Sequence, residues 1–95
     1  MKGKQKRYLR SLAMTDQPIF QIGKGGVNDN LIVQLQDALE ARELIKIRVL
    51  NNSSSAAREI APQLAAATAS ELIQVIGHNI VLYKKSTKKP KIQLP

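Results

Sequence analysis

The spacing of the apolar residues switches repeatedly between a helical repeat and a strand repeat, and this order limits the possible folds more than any other feature. Helical patterns occur at residues 2–14, 28–42 and 57–64. Strand patterns occur at residues 19–22, 44–50, 71–76 and 79–84. The order along the chain is therefore helix, strand, helix, strand, helix, strand, strand. Strands that alternate with helices pair in parallel through right-handed crossovers, and a two-residue connection joins the last two strands as a hairpin. We therefore predict an α/β fold, a helix followed by βαβαββ, in which the helices pack on a four-stranded mixed sheet.

The length of 95 residues fits one such domain and leaves no room for a second. Only three residues are aromatic, so the core should consist of aliphatic side chains. We place the folded domain at residues 1–85. Residues 86–95 contain Pro90, Pro95 and several lysines without a sustained apolar pattern, which predicts a basic mobile tail.

The third helix raises two local questions. Asn51 to Ser55 form a polar turn, and Ser53, Ser54 or Ser55 could cap the helix that follows. Pro62 lies within the helical pattern, where a proline loses a backbone hydrogen bond and costs about 3 kcal/mol. The helix is therefore predicted either to kink there or to restart with Pro62 in its first turn.

The positive charge of the chain is concentrated at its two ends. The net charge is +8, and residues 1–10 and 84–95 each carry five bases and no acid. Basic ends on a small domain indicate a polyanionic partner, usually nucleic acid, although they also serve solubility. Cations at the start of a helix oppose its dipole, so the bases of the first helix indicate either an anionic partner or a frayed, solvated helix end. These bases are Lys2, Lys4, Lys6, Arg7 and Arg10.

A glycine-rich segment, Gly23-Lys24-Gly25-Gly26, follows the first strand pattern and precedes the second helix, for which Asn28 is a suitable N-cap. Glycines let a ligand approach the backbone closely, and free N–H groups at a helix start favour an anion. The same four residues would equally suit an ordinary tight turn. Lys46 and Arg48 share one face of the next strand, where they could follow a phosphate backbone or simply face solvent.

Several kinds of chemistry are excluded by composition. The chain has no cysteine and one histidine, His78, which rules out a disulfide, a Cys-ligated zinc site and a thiol nucleophile. We predict that His78 is a turn residue and that Glu40 and Glu43 are solvated at a helix end. We therefore expect no catalytic residues, no metal and no cofactor. No apolar run is long enough for a membrane span, and the charged N-terminus lacks the apolar region of a secretory signal, so we expect a cytoplasmic protein.

Four segments, taken in order, resemble those of one family. They are an opening helix, a glycine loop, a second strand and a closing hairpin, at residues 4–13, 21–26, 43–50 and 72–83. The sequence thereby resembles the YhbY family of bacterial proteins, the stand-alone form of the CRM domain. The resemblance implies a fold like the C-terminal domain of translation initiation factor three. It also implies association with precursors of the large ribosomal subunit, whose assembly the family is thought to help.

Carried over to this chain, the resemblance implies that Gly23 to Gly26 clamp RNA backbone, much as the Gly-x-x-Gly loop of KH domains does, with Lys24 as the charged contact. The predicted function is non-catalytic binding of ribosomal RNA in large-subunit precursors by a monomer. The predicted RNA-binding residues are Gly23, Lys24, Gly25, Gly26, Lys2, Lys4, Lys6, Arg7, Arg10, Lys46 and Arg48. The alternative is an Alba-like protein that coats DNA or RNA, although such proteins work as dimers and lack a basic leading helix.

Overall fold

The computed structural model describes residues 1–53 and 55–95. The elements follow in the order α1 (Gly3–Ala13), β1 (Phe20–Ile22), α2 (Asp29–Arg42), β2 (Leu44–Val49), α3 (Ala57–Thr68), β3 (Glu71–Ile76) and β4 (Asn79–Tyr83). This order confirms the predicted helix followed by βαβαββ. The predicted bounds agree with the observed ones to within one residue, except that α3 continues four residues beyond the predicted pattern.

One sheet contains the strands in the order β1-β2-β4-β3. β1 runs parallel to β2, and β4 runs antiparallel to both β2 and β3, so the sheet is mixed as predicted. The glycine loop, the β2–α3 connection and the β3–β4 turn therefore leave the sheet at one end, where Arg48 lies opposite Asn79. We call this the loop end. At the opposite end, the tail end, Leu44 faces Tyr83 and the chain leaves β4.

Helices cover both faces of the sheet. Side chains alternate along β2, so that Ile45, Ile47 and Val49 face α2 and α3. The rest of this main core is formed by Ile22, Leu35, Leu39, Ala57, Ile60, Ala61, Leu64, Ile80 and Leu82. On the other face, α1 contributes to a smaller buried cluster of Leu9, Ala13, Leu44, Ile73, Val81 and Tyr83. Apart from Tyr83 the buried apolar side chains are aliphatic, as the composition predicts.

The start of α3 differs from the prediction. Its N-cap is Ala56, which makes no side-chain hydrogen bond, while the Ser53 hydroxyl donates to the carbonyl of Ser55 at 2.9 Å. The predicted serine cap is therefore wrong for Ser53 and Ser55, and Ser54 lies outside the described residues. Pro62 lies inside α3 with its ring exposed, and the helix continues through it without restarting.

Residues 85–95, which we call the tail, contain no helix or strand, yet they lie against the domain. Ile92 and Leu94 pack beside the cluster under α1, and Gln5 Nε2 donates to the carbonyl of Pro95 at 3.3 Å. We expected a mobile tail at residues 86–95. The structure instead gives these residues specific partners on the domain.

Candidate nucleic-acid interface

The glycine loop, residues 23–26, connects β1 to α2 at the loop end of the sheet. The Gly26 amide donates to the Gly23 carbonyl at 3.0 Å, which closes a tight turn. Lys24 and Gly25 are exposed at its tip. The segment therefore does form a turn, and the question becomes whether turn geometry explains all three glycines.

Each glycine of the loop has a different environment. Gly26 has a φ of +66°, in the left-handed region that favours glycine. A Cβ added at Gly23 would lie 3.4 Å from Asn52 Oδ1 and 3.5 Å from a methyl carbon of Leu50, which is ordinary van der Waals contact with the β2–α3 connection. A Cβ added at Gly25 would meet no atom within 4 Å, and its φ is outside the left-handed region. The backbone conformation thus requires glycine only at Gly26. Gly25 has neither a positive φ nor a neighbouring atom to explain it, and its bare backbone is open to a ligand.

The start of α2 follows the prediction. Asn28 is its N-cap, and the Asn28 side-chain oxygen accepts a hydrogen bond from the Leu31 amide at 2.8 Å. One of the free amides of the helix start is thereby used by the chain itself. The Leu31 amide is therefore not free to bind an anion at this end of α2.

A groove with a volume of about 440 Å³ opens at the loop end, between the β2–α3 connection and the β3–β4 turn. His78 lies in that turn, as predicted, and its side chain is exposed. Arg58 from the first turn of α3 lines the same groove. The Ala56 N-cap brings no side-chain acceptor to the start of α3. Arg58 is absent from the predicted site, because only its position just after a polar turn distinguishes it in the sequence.

β2 places Lys46 and Arg48 on the face of the sheet that α1 partly covers. Arg48 is exposed near the loop end, with Gln21 and Asn79 opposite it on the neighbouring strands. Lys46 is half-buried, and its Nζ donates to the carbonyl of Asp16 at 3.1 Å. Arg48 is therefore open to a ligand close to the glycine loop, whereas Lys46 already has a partner within the chain.

The bases of α1 start at the tail end of the sheet. Gln5 in the first turn of α1 donates to the carbonyl of Pro95, beside the tail. Ala13 at the other end of α1 lines a small groove with Ile76 and Asn79, which lie at the loop end. The helix therefore runs toward the loop end, and its basic first turns lie away from the glycine loop. From Leu44 to Val49 the sheet extends about 17 Å, at roughly 3.3 Å per residue. The structure thus brings Arg48 near the glycine loop but places most bases of α1 at the other end.

The start of α1 is hydrogen-bonded, because the Lys2 amide donates to Gln5 Oε1 at 3.2 Å. No acidic residue lies in its first turn, so its own sequence leaves the unfavourable charge–dipole interaction unrelieved. Lys2, Lys4 and Arg7 are exposed, while Lys6 and Arg10 are half-buried. These bases remain suited to an anionic partner outside the chain.

Two carboxylates at the end of α2 depart from the expectation of solvation. Glu43 is 0% exposed, with a φ of +67°, and Glu40 is half-buried. Burial acts to raise the pKa of Glu43, but backbone hydrogen bonds from the tail outweigh it and lower that pKa. Hydrogen bonds from the Ser86 and Thr87 side chains lower the pKa of Glu40 to about 2. Both carboxylates are thus held ionised by the tail, which is a structural rather than an acid–base role.

Across residues 1–53 and 55–95, no three His, Asp or Glu side chains are placed to hold a metal ion together. In the same part of the chain, no helix has the length and apolar character needed to cross a bilayer.

Nearly the whole domain matches a known family. The CRS1/YhbY (CRM) domain matches residues 1–84. The chain belongs to this family. A Bacillus subtilis protein named "Probable RNA-binding protein YqeI" is 55% identical to it, over 98% of this chain and 97% of that protein. A Haemophilus influenzae protein named "RNA-binding protein" is 34% identical, over 97% of this chain and 92% of that protein.

A solved structure has a similar fold. The solution structure of the hypothetical protein SAV1595 from Staphylococcus aureus has a TM-score of 0.82 and 57% sequence identity, and it covers 100% of this chain and 99% of that one. The family match confirms the resemblance drawn from the four sequence segments. The match ends at residue 84, so residues 85–95 lie outside the matched segment.

Proposed function

We propose that this CRM chain is a non-catalytic RNA-binding protein that binds ribosomal RNA in precursors of the large ribosomal subunit and assists their assembly. It does so as a cytoplasmic monomer. Relatives that match along nearly their whole lengths are named as RNA-binding proteins, which supports the RNA partner. Within the chain, the observation that carries the proposal is the exposed tip of the glycine loop, where the fold gives no reason for Gly25 to lack a side chain.

The loop end offers a phosphate three kinds of contact. The bare backbone at Gly25 lets a phosphate oxygen approach the loop amides, and the Lys24 ammonium supplies an opposite charge. Arg48 lies on the adjoining sheet face, where it contacts the next part of the same backbone. The bases of α1 extend the surface toward the tail end of the sheet.

Recognition depends on phosphates and shape more than on base stacking. Stacking on single-stranded RNA normally uses several exposed aromatic side chains. Here Tyr83 is buried, Phe20 is half-buried, and Tyr8 is 39% exposed. One exposed ring on α1, away from the glycine loop, is too little for sequence-specific stacking.

Gradient sedimentation of a cell lysate tests the cellular part of the proposal. The chain should sediment with precursors of the large subunit and be absent from mature ribosomes. If it sediments only with bulk DNA, or stays free at the top of the gradient at low salt, the assembly role is refuted and the Alba-like alternative gains.

Substitution of Lys24 tests the molecular part. Lys24→Glu should weaken binding to a ribosomal RNA fragment, measured by fluorescence anisotropy, because it places a like charge beside a phosphate. Lys24→Arg is the matched control, since it keeps the charge and should keep the affinity. Both variants should retain the circular dichroism spectrum of the parent, because Lys24 is exposed at a loop tip. Unchanged affinity in Lys24→Glu would mean that the loop is only a turn.

A further inference from the structure

The tail, residues 85–95, is held on the domain by two carboxylates of the α2 end. The buried Glu43 carboxylate accepts hydrogen bonds from the backbone amides of Ser86, Lys91 and Ile92, at 2.9, 2.6 and 2.7 Å. A buried charge without such partners is strongly unfavourable, so the tail and Glu43 stabilise each other. The position of the tail is thereby tied to the fold at two separate points along its length.

The second carboxylate, Glu40, holds a small turn within the tail. The Thr87 amide donates to Glu40 at 2.9 Å, and the hydroxyls of Ser86 and Thr87 donate to it as well. The Ser86 hydroxyl oxygen in turn accepts the amides of Lys88 and Lys89, at 3.3 and 3.1 Å. The turn therefore fixes the backbone from which Lys88 and Lys89 project.

The end of the tail is placed beside α1. Ile92 and Leu94 pack against the cluster that contains Leu9, and Gln5 donates to the carbonyl of Pro95. The tail and the bases of α1 thus share the tail end of the sheet.

The lysines of the last segment fall into two groups. Lys84 Nζ donates to the Thr68 carbonyl at 3.3 Å, and Lys91 Nζ donates to the Ala41 carbonyl at 3.1 Å, so both satisfy carbonyl groups at helix ends. The other three lysines are exposed, and they are Lys85, Lys88 and Lys89. Residues 84–95 contain no acidic residue of their own. Lys85 lies close enough to the ionised Glu43 for its charge to help lower the pKa of that carboxyl.

We propose that the docked tail is a second RNA contact, in which Lys85, Lys88 and Lys89 meet phosphates of the same RNA that occupies the glycine loop. We call these three residues the tail arm. This proposal rests on the proposed function. α2 connects the two contacts, because it begins after the glycine loop and ends beside the carboxylates that hold the tail. Its 14 residues span about 20 Å, and a helical nucleic-acid strand carries a charge about every 3.4 Å, so one RNA can reach both contacts.

A docked arm binds RNA differently from a loose cationic tail. A loose tail loses conformational freedom when it binds, whereas a docked arm has already lost it on folding. RNA binding by a docked arm therefore depends on where its lysines are held, whereas RNA binding by a loose tail depends only on its charge. Substitutions that remove charge and substitutions that release the turn separate the two cases.

The first test removes charge. The variant K85Q/K88Q/K89Q should bind single-stranded RNA with a shallower dependence of log K on log salt, by about 2, at ~0.7 per phosphate. K85R/K88R/K89R is the matched control and should keep the parental slope. A parental slope in the glutamine variant overturns the proposal.

The second test changes position. Glu40→Ala raises the net charge, so plain electrostatics predicts tighter RNA binding, but release of the turn should make binding several-fold weaker. Ser86→Ala loosens the same turn without a change of charge and should also weaken binding. Tighter binding by Glu40→Ala, or parental affinity in Ser86→Ala, overturns the docked arm.

Amide hydrogen exchange gives an independent readout. The Lys91 and Ile92 amides should be protected in the wild-type chain, because Glu43 accepts both. Exchange at the rate of an unfolded chain would show a mobile tail and overturn the proposal. If Lys24→Glu weakens binding while the tail variants do not, the arm alone is refuted. If the wild-type chain shows no salt-dependent RNA binding, both the tail arm and the proposed function are refuted.

Discussion

Gly25 and Gly26 are neighbours in the glycine loop, yet they should respond in opposite ways to alanine. At Gly26 the φ of +66° would force alanine into the left-handed region, which costs about 1–2 kcal/mol. No atom lies within 4 Å of the added Cβ, so this backbone strain is the whole penalty. At Gly25 there is neither strain nor a clash. Alanine there reduces the freedom of the unfolded chain and should stabilise the fold by about 0.4–1 kcal/mol.

Thermal unfolding measures this difference directly. For a domain of this size, each kcal/mol shifts the unfolding midpoint by roughly 4–8 °C. Gly26→Ala should therefore lower the midpoint by at least several degrees, and Gly25→Ala should raise it by a few. If Gly25→Ala is as destabilising as Gly26→Ala, the fold itself requires glycine at both positions and the argument for a ligand is refuted.

RNA binding should separate from stability at Gly25. A methyl group at the exposed tip keeps a phosphate away from the loop amides, and loss of one hydrogen bond to a charged group is worth about 1.5 kcal/mol. The Kd from fluorescence anisotropy should therefore rise about tenfold. A more stable protein that binds RNA tenfold more weakly is the expected result. Parental affinity in Gly25→Ala would refute the role of the loop backbone.

Three further predictions concern charge, acid stability and the third helix. If binding engages about five phosphates of single-stranded RNA, log K should fall against log salt with a slope near −3.5, and a flat dependence would contradict contacts to phosphates. The folded-state pKa of Glu40 is lowered from 4.5 to about 2, so its stabilising contribution is complete above pH 4.5 and is lost as the pH falls toward 2. Urea unfolding of Glu40→Gln and the parent should accordingly differ at pH 7 and converge near pH 2; a gap that stays constant would exclude this carboxylate as the cause. Pro62→Ala supplies the amide donor that α3 lacks at an exposed position and should stabilise the domain by about 1–3 kcal/mol in the same assay, whereas no change would show that the helix has already adapted to the ring.

The elements that could be predicted are those whose evidence is local. Along β2 the alternation of Ile45, Lys46, Ile47 and Arg48 assigns each side chain to a face, and the structure agrees because a strand has a repeat of two. Asn28 caps α2 because the donor it satisfies is three residues away. In both cases the sequence window that shows the pattern also contains the interacting groups.

The features that escaped prediction depend on distant residues. Glu43 reads as a surface acid at a helix end, but its hydrogen-bond donors lie more than 40 residues later in the chain. The docked tail escaped for the same reason, since Ile92 and Leu94 find their partners under α1. No local pattern contains both halves of such a contact.

The candidate site shows the same division. The turn at residues 23–26 follows from its glycines, and its exposure follows from the turn. The bases that lie near this turn depend on how α1 is placed across the sheet. A sequence pattern does not specify that placement. Arg48 therefore lies close to the loop, while the bases at the start of α1 lie at the tail end.

Gly25 and Glu43 are the two positions where the chain departs most clearly from local rules. A glycine that the turn does not need and a charge buried at 0% exposure are each less stable choices than alternatives of similar size. In natural sequences, local residue preferences, packing and polar contacts mostly favour the same fold, and departures from this agreement concentrate at functional positions.

Gly25 and Glu43 lie at opposite ends of α2, and each has a lysine-bearing segment beside it. Under the proposed function, a rigid helix therefore sets the distance between two phosphate contacts. With one exposed aromatic ring on the described surface, this interface is suited to reading the spacing of an RNA backbone rather than the identity of its bases.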